Sequence, residues 1–272
     1  MSKANRERFL TVFTHLLAFL MFFPILWMVL TAFKTEQDAF AFPPKFIFTP
    51  TLENWQVALV GTDYLNFLGN TLLITGLSTL AALILGVPAA YAMAFYATRR
   101  TDASMLWVMS TRMLPPAGVI VPLYVIFQRL GLLDTFTGII IIYTGMNVPL
   151  VIWMVRSFMV DIPFEIIEAA RMDGVTLWQE IRNMVLPLIV PGLAATALLC
   201  FIFAWNEFFF AFNLTTKTAA PLSVYISSFK TAEGLFWAKM SAAATATVFP
   251  VLMAGWVAQR QLVTGLTMGA VK

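Results

Sequence analysis

Long apolar stretches, nearly free of charged residues, alternate with short polar segments along the chain. A helix needs about 20 apolar residues to cross a hydrocarbon core about 30 Å thick. Six stretches predict six spanning helices, at residues 9–33, 66–96, 103–128, 135–155, 183–206 and 240–259. The third carries Arg112 and three prolines. We expect a broken helix and a candidate gate there, because irregular backbone at membrane depth needs protein or a water-filled cavity beside it.

The composition excludes most soluble classes of protein. Only 11% of the residues are charged and 60% are hydrophobic, whereas a soluble domain has roughly 25% charged residues. The basic residues are scattered, without the basic patch of a nucleic-acid-binding protein. The alternating pattern of a membrane barrel is absent as well. We therefore predict an all-α membrane protein, a bundle of six transmembrane helices in lipid, that binds no nucleic acid.

The distribution of Lys and Arg predicts the orientation. The basic start of the first stretch is also typical of a signal peptide, but the apolar core is too long and lacks the usual cleavage site. A retained helix is therefore favoured. With the N-terminus in the cytoplasm, 11 of the 17 basic residues fall inside, among them nine of the ten Arg. Because basic loops stay in the cytoplasm, we expect both termini there.

The predicted cytoplasmic segment 156–187 is longer and more charged than a simple turn. Its pattern predicts a short helix at residues 165–173, in which Glu168 and Arg171 are three positions apart and can form an ion pair. Gly174 is expected to end this helix, since a residue without a Cβ adopts the left-handed conformation easily.

Two residues are expected to cap helices in this segment, Asp161 before the first helix and Thr176 before a second short one. The first helix is acidic and carries small residues, whereas a helix that rests on lipid usually presents Lys or Arg on its polar face. Docking of a partner protein is therefore the favoured role. A solvated loop with an amphipathic helix resting on lipid is the alternative.

Six residues of this segment match, at the family spacing, the EAA motif of binding-protein-dependent ABC importer permeases: Glu168, Ala169, Ala170, Gly174, Leu186 and Pro187. The one departure is Met184, where the family pattern has Ile. Other stretches resemble the carbohydrate branch of this family, of the maltose-transporter type; they include RMLPPAGVIVPLY from Arg112 and the C-terminal QRQLVTGLTMGAVK. The resemblance covers nearly the whole chain.

The resemblance implies the fold of a type I ABC importer permease in three parts. Residues 1–65 hold the first helix and an extracytoplasmic loop, residues 66–260 hold a permease core of five helices with the EAA loop at 156–187, and residues 261–272 form a cytoplasmic tail. The EAA loop is expected to couple the chain to an ATPase through Glu165, Glu168, Ala169, Ala170, Arg171, Asp173, Gly174, Leu186 and Pro187. Gly265 and Gly269 of the tail are expected to contact the ATPase too.

The implied complex contains a second permease, expected to be a different chain, two ATPase subunits and an extracytoplasmic solute-binding protein, in the bacterial inner membrane. The chain has no G-x-x-x-x-G-K-[ST] phosphate-binding loop. ATP and Mg²⁺ are therefore expected on the ATPase, and this chain is expected to be a transport subunit that is not an enzyme and binds no cofactor. The expected function is import of a sugar, oligosaccharide, polyol or sugar derivative.

Polar residues inside predicted membrane helices are candidates for the substrate path, because an unpartnered polar group is costly in lipid. Glu207 is an acid in an apolar run, and the neighbouring Trp205 and Asn206 offer a stacking face and an amide that suit a sugar. The alternative is that Glu207 and Asn206 bond between helices, or that Glu207 lies at the outer interface. Asn70 and Asn147 are further candidates, for which interhelical bonding is the favoured role.

Two other functions fit the sequence less well. A secondary transporter would use Glu207 as a proton- or cation-coupling group, but it gives no reason for an acidic docking helix, and the chain shows no internal repeat. A membrane enzyme is disfavoured because the single Cys and the single His lie far apart, without a carboxylate cluster near either. The same observation argues against a metal site.

Overall fold

The chain is almost entirely helical in the computed structural model, which describes residues 3–231 and 234–268. The helices are, in chain order, α1 (Lys3–Thr31), α2 (Glu36–Ala39), α3 (Glu53–Trp55), α4 (Tyr64–Phe95), α5 (Thr101–Thr111), α6 (Pro116–Leu130), α7 (Phe136–Val160), α8 (Phe164–Met172), α9 (Leu177–Glu180), α10 (Leu186–Trp205), α11 (Phe209–Leu214), α12 (Leu222–Ser227) and α13 (Trp237–Met268). Turns of π-helix follow α3 (Gln56–Val60) and join α9 to α10 (Ile181–Val185). Two-residue strands, β1 (Lys230–Thr231) and β2 (Gly234–Leu235), pair antiparallel between α12 and α13.

Four helical segments of the described part are long and apolar enough to cross a membrane: Asn5–Thr31, Tyr64–Phe95, Phe136–Val160 and Leu177–Trp205. The pair α5 and α6 passes the same criteria together and is bent by 82°, which confirms the predicted break in the third stretch. The sixth predicted crossing, 240–259, lies within α13, which is not among the segments that meet these criteria of length and hydropathy. The chain is thus an all-α membrane protein with several apolar helices.

The break between α5 and α6 follows from the sequence around it. Pro115 is extended, with ψ 125°, and Pro116 begins α6, because proline has no amide hydrogen to donate and is well suited to the first turn of a helix. Arg112 lies at the end of α5. The helix α6 ends at Gly131, which has φ +67°.

The chain divides into two compact units, which comprise Met1–Leu65 with Tyr225–Phe249 and Asn66–Val224 with Pro250–Lys272. In the first unit, Lys34 follows α1 and is only 1% exposed. Its Nζ donates a hydrogen bond to the carbonyl of Lys45 at 2.7 Å, and the Asn54 amide donates to the carbonyl of Lys34 at 2.6 Å. These bonds hold the loop between α1 and α3 against the end of α1.

In the second unit, α7 packs closely against α4 and α10 at two glycines. A Cβ on Gly86 of α4 would lie 2.5 Å from the Val151 Cγ1, and a Cβ on Gly192 of α10 would lie 2.3 Å from the Phe158 Cδ2. Glycine lets helices approach this closely, and such contacts are typical of helix packing in membranes.

Asp134, in the turn between α6 and α7, ties that turn to the segment after α11. Its carboxylate accepts hydrogen bonds from the four backbone amides of residues 216–219 and from the Thr216 hydroxyl. Burial alone would raise the pKa of Asp134, but the bonds from these amides and from the hydroxyl outweigh burial and hold the pKa well below its usual range. The residue has φ +53°, a conformation that Asp tolerates better than most side chains.

Candidate functional site

The helix predicted at 165–173 is α8, which begins at Phe164 directly after Pro163. The prediction that Asp161 caps this helix is wrong, because Asp161 ends α7 and Pro163 occupies the cap position without a side-chain hydrogen bond. Proline fixes φ near the helical value, so the chain enters the helix at the next residue. One side of α8 is buried through Ile167 and Ala170.

The opposite side of α8 is exposed and acidic. Glu165, Glu168, Ala169 and Asp173 are all exposed. A groove of about 490 Å³ lies beside this face and is lined by Glu165, Ile166, Ala169, Ala170, Asp173, Val175 and Met184. Met184, the departure from the family pattern, therefore lies in the groove itself, where its flexible side chain adapts to a contact as readily as Ile would.

Gly174 ends α8 as predicted. It has φ +77°, its amide donates to the carbonyl of Arg171 at 3.1 Å, and the Val175 amide donates to the carbonyl of Ala170 at 3.2 Å. This pair of bonds is the Schellman arrangement, which requires a left-handed residue at the position of Gly174. The exposed turn therefore has a defined shape.

The second predicted helix is α9, and its cap at Thr176 is confirmed. The Thr176 hydroxyl accepts a hydrogen bond from the backbone amide of Gln179, and the side-chain oxygen of Gln179 accepts one from the backbone amide of Thr176. Two large apolar side chains of α9 are exposed, Leu177 and Trp178. Leu186 and Pro187, the end of the motif, begin α10, with Leu186 partly buried and Pro187 exposed.

Arg171 does not pair with Glu168 as the spacing predicted. Its guanidinium forms two hydrogen bonds with the carboxylate of Glu180, from Nε at 2.9 Å and from Nη2 at 3.1 Å. Tyr91 of α4 donates its hydroxyl to the same carboxylate. The reason is that Glu180 is buried and needs a charged partner, whereas Glu168 is exposed to solvent.

These contacts set the charge of both groups. The Arg171 guanidinium and the Tyr91 hydroxyl supply the buried Glu180 carboxylate with hydrogen bonds and with an opposite charge. The hydrogen bonds to Glu180 raise the pKa of Arg171 further above its already high value. Arg171 is therefore ionised at neutral pH and forms an ion pair with Glu180.

The predicted residues of the tail lie at the edge of the described chain. Gly265 lies in the last turns of α13, which extends to Met268, and Gly269 lies outside the described residues.

The predicted substrate-path residues do not converge on one site in the described structure. Trp205 is buried and stacks on Phe201, with ring centroids 5.5 Å apart. Asn206 is exposed, and its amide donates to the carbonyl of Ile202 one turn earlier at 2.9 Å. The Glu207 carboxylate accepts from the amides of the first turn of α11, those of Phe210 and Ala211. The main contact of each side chain is thus structural.

Asn70 and Asn147 also donate to backbone carbonyls. The Asn147 amide on α7 bonds to Cys200 of α10 at 3.2 Å, and the Asn70 amide on α4 bonds to Thr218 and Ala220, each at 3.0 Å. These geometries match the interhelical role that the sequence favoured for Asn147. For Asn70 the partner is the loop after α11 rather than another membrane helix.

The break between α5 and α6 opens into a cavity of about 440 Å³ that Arg112 lines together with Pro116, Met146 and Phe210. The Arg112 guanidinium lies over the Phe203 ring of α10, 5.0 Å from its centroid. A cation on an aromatic face is stabilised in a poorly solvated place. No group of three or more His, Cys, Asp or Glu side chains that fits a metal ion occurs in the described part of the chain.

Sequence reasoning missed the two aromatic partners, Tyr91 for Glu180 and Phe203 for Arg112. The available signal was weak in both cases. Tyr91 is a hydroxyl-bearing residue near the end of an apolar helix, and Phe203 is one of 25 phenylalanines in the chain.

The chain is similar over its whole length to known permeases. It is 37% identical over 271 residues to a probable ABC transporter permease protein of Sinorhizobium fredii, covering 100% of this chain and 98% of that protein. It is 33% identical over 279 residues to the trehalose transport system permease protein SugB of Mycobacterium tuberculosis, covering 99% of each.

A solved structure shares the fold. In the crystal structure of a bacterial ABC transporter involved in the import of the acidic polysaccharide alginate, one chain matches with a TM-score of 0.75 and 24% identity, covering 96% of this chain and 98% of that one. The family model described as the inner membrane component of binding-protein-dependent transport systems matches residues 82–263. The predicted family is thereby confirmed, and the chain belongs to the inner-membrane components of binding-protein-dependent transport systems.

Proposed function

We propose that this chain is the permease subunit of an ATP-driven ABC importer for a carbohydrate, that is, a sugar, oligosaccharide, polyol or sugar derivative, and that α8 is the surface on which the ATPase docks. The observation that carries the docking role is the arrangement of α8. The chain itself buries Ile167 and Ala170, while the acidic, small-residue side borders an open groove and other apolar side chains of α8, such as Ile166, are exposed. Small side chains there let a partner approach closely.

The partners follow from what the chain lacks and from its family. The sequence has no phosphate-binding loop, so ATP and Mg²⁺ belong to a separate ATPase, present in two copies. A second, different permease completes the pathway, and an extracytoplasmic binding protein delivers the substrate. Both termini and α8 face the cytoplasm, because nine of ten Arg then lie inside.

The substrate class is supported by two observations. The relative SugB is named for trehalose transport, and the stretches outside the EAA loop resemble the carbohydrate branch. A sugar would pass between the two permeases, and Asn206, the exposed member of the Trp205–Glu207 cluster, is the residue of that cluster placed to meet it.

The structure offers no comparable support for a secondary transporter. Its coupling group, Glu207, already caps α11 with both carboxylate oxygens. This use of the carboxylate supports a role in the local fold and not in coupling.

The first test is to tag the chain, extract it gently from its native membrane and identify the proteins that co-purify. We expect a second permease and a P-loop ATPase in a fixed ratio. Glu168→Lys, which reverses the charge in the middle of the exposed face of α8, should remove the ATPase and leave the permease pair intact. Asp102→Lys is the matched control, because Asp102 is an exposed acid in the first turn of α5, away from the groove. Purification of the wild-type chain alone would overturn the proposal.

A further inference from the structure

A buried charged cluster joins α8 to the membrane helices. Glu180 is 1% exposed and is one of the largest fully buried side chains of the chain. Its Oε2 accepts from the Arg171 Nε, and its Oε1 accepts from both the Arg171 Nη2 and the Tyr91 hydroxyl. The Arg171 Nη2 also reaches the Tyr91 hydroxyl at 3.4 Å. Both carboxylate oxygens therefore have partners.

Two aromatic rings lie beside the arginine. The Arg171 guanidinium carbon lies 5.0 Å from the ring centroid of Tyr96 and 6.0 Å from that of Phe164. Because a planar guanidinium bonded at two points has little rotational freedom, this environment fixes its orientation.

The three members of the cluster come from three different elements. Arg171 lies in the last turn of α8, Glu180 is the last residue of α9, directly before the π-helical turn that leads into α10, and Tyr91 lies on α4. The apolar core of the same region contains Tyr91, Ile167 of α8 and Val185 of the π-helical turn. The polar contacts therefore lie within a packed junction of α4, α8 and α10.

The cluster fixes the relative positions of α4, α8 and α9 more than it adds to the stability of the fold. Glu180 loses its hydration on burial, so its pairing with the partly exposed Arg171 gains little over an apolar residue, whereas loss of Arg171 leaves a buried charge unpaired. Sliding of α8 relative to α4 and α10 would separate Arg171 from both Glu180 and Tyr91. The junction thus resists such sliding strongly.

We propose that Arg171, Glu180 and Tyr91 form a rigid link through which movement of α8 is transmitted to α4 and α10. The proposal rests on the docking role of α8 given above. The three are positioning residues, since they transmit displacement and do not contact the substrate. An ATPase that moves α8 on binding ATP moves the inner ends of α4 and α10 with it, and so changes access to the pathway.

The test uses the complete importer, with its co-purified partners, in lipid nanodiscs. Spin labels at exposed positions on α4 and α6, Leu72 and Val121, report the distance between these helices with and without Mg²⁺ and a non-hydrolysable ATP analogue. In the wild type we expect a distance change when the nucleotide binds. In Glu180→Gln and in the milder Tyr91→Phe, which removes only one hydroxyl, we expect the ATPase to stay bound and the distance change to be reduced or lost.

Two further variants separate transmission from simple folding. Arg182→Gln removes an exposed arginine from the π-helical turn and should behave as wild type. Exchange of the pair, Arg171→Glu with Glu180→Arg, should restore part of the distance change, which a general loss of folding would not allow.

The outcomes are distinguishable. A normal distance change in both Glu180→Gln and Tyr91→Phe, with the ATPase bound, would overturn the link and leave the docking role intact. Absence of a bound ATPase in the wild-type preparation would overturn the docking role and the link together.

Discussion

Replacement of Gly174 by alanine tests how the shape of the exposed turn after α8 is maintained. Gly174 has φ +77°, and the space where a Cβ would lie is open, with nothing within 4 Å. The penalty therefore comes from the backbone alone, and a left-handed conformation disfavours an L-residue by about 1–2 kcal/mol. That amount shifts a local equilibrium by a factor of roughly 5–30.

The two hydrogen bonds that Gly174 makes possible, to the carbonyls of Arg171 and Ala170, should therefore open more often in Gly174→Ala. Hydrogen exchange followed by mass spectrometry, on the detergent-solubilised chain, reports this for the peptide around residues 164–185. We expect faster exchange at the amides of Gly174 and Val175, by about ten-fold, with little change in α7.

Two control variants test whether backbone strain at this position causes the effect. Gly174→Asn should have a smaller effect, because Asn adopts the left-handed conformation more readily. Gly131→Ala places the same strain after α6, where φ is +67° and the space is also open, and should accelerate exchange there and not after α8. If Gly174→Ala exchanges at the wild-type rate, the positive φ is not what maintains the turn, and the argument fails.

Three further variants test the packing and the loops. Gly192→Ala should destabilise the chain by about 1–3 kcal/mol, because the added Cβ overpacks against Phe158. Adding Phe158→Ala should restore part of the stability, and Gly145→Ala, where a Cβ meets open space, should cause no such loss. Thermal unfolding in detergent measures the stability of all three variants. Asp134→Asn should lower stability by about 1–3 kcal/mol at neutral pH. Because folding lowers the pKa of Asp134, the contribution of this carboxylate to stability is complete above the unfolded pKa of about 3.9 and is lost as the pH falls below that value. The unfolding temperatures of the wild type and of Asp134→Asn should therefore converge in acid. A difference that stays constant with pH would contradict this role of Asp134. Glu207→Gln keeps one acceptor oxygen for the amides at the start of α11 and should retain ATP-driven uptake, measured in membrane vesicles; a folded chain without uptake would return Glu207 to a direct role in transport.

Local features of the fold could be predicted from the sequence because their causes are local. Gly174 ends α8 and Thr176 caps α9, since a stop and a cap depend on the residue itself and on neighbours three or four positions away. The break before Pro116 follows in the same way from two consecutive prolines. Family membership was predictable because the EAA motif has fixed spacing.

Contacts between distant segments could not be predicted in this way. The spacing of three residues favoured Glu168 as the partner of Arg171, but the partner is Glu180, which burial makes dependent on a cation. Tyr91 lies 89 residues before Glu180, and no local pattern relates the two. The same holds for Glu207, an acid in an apolar run whose carboxylate caps the next helix and whose backbone carbonyl accepts from the Tyr143 hydroxyl of α7.

The glycine contacts of α7 have a mechanical consequence. Because Gly86 and Gly192 bring α4 and α10 against Val151 and Phe158 without an intervening side chain, a small axial shift of α7 would drive one of these side chains into a neighbouring backbone. Helices α4, α7 and α10 are therefore interlocked and are expected to move as one rigid group. Motion of this group relative to α6 is most easily accommodated at the 82° corner between α5 and α6, where no continuous helix has to be deformed.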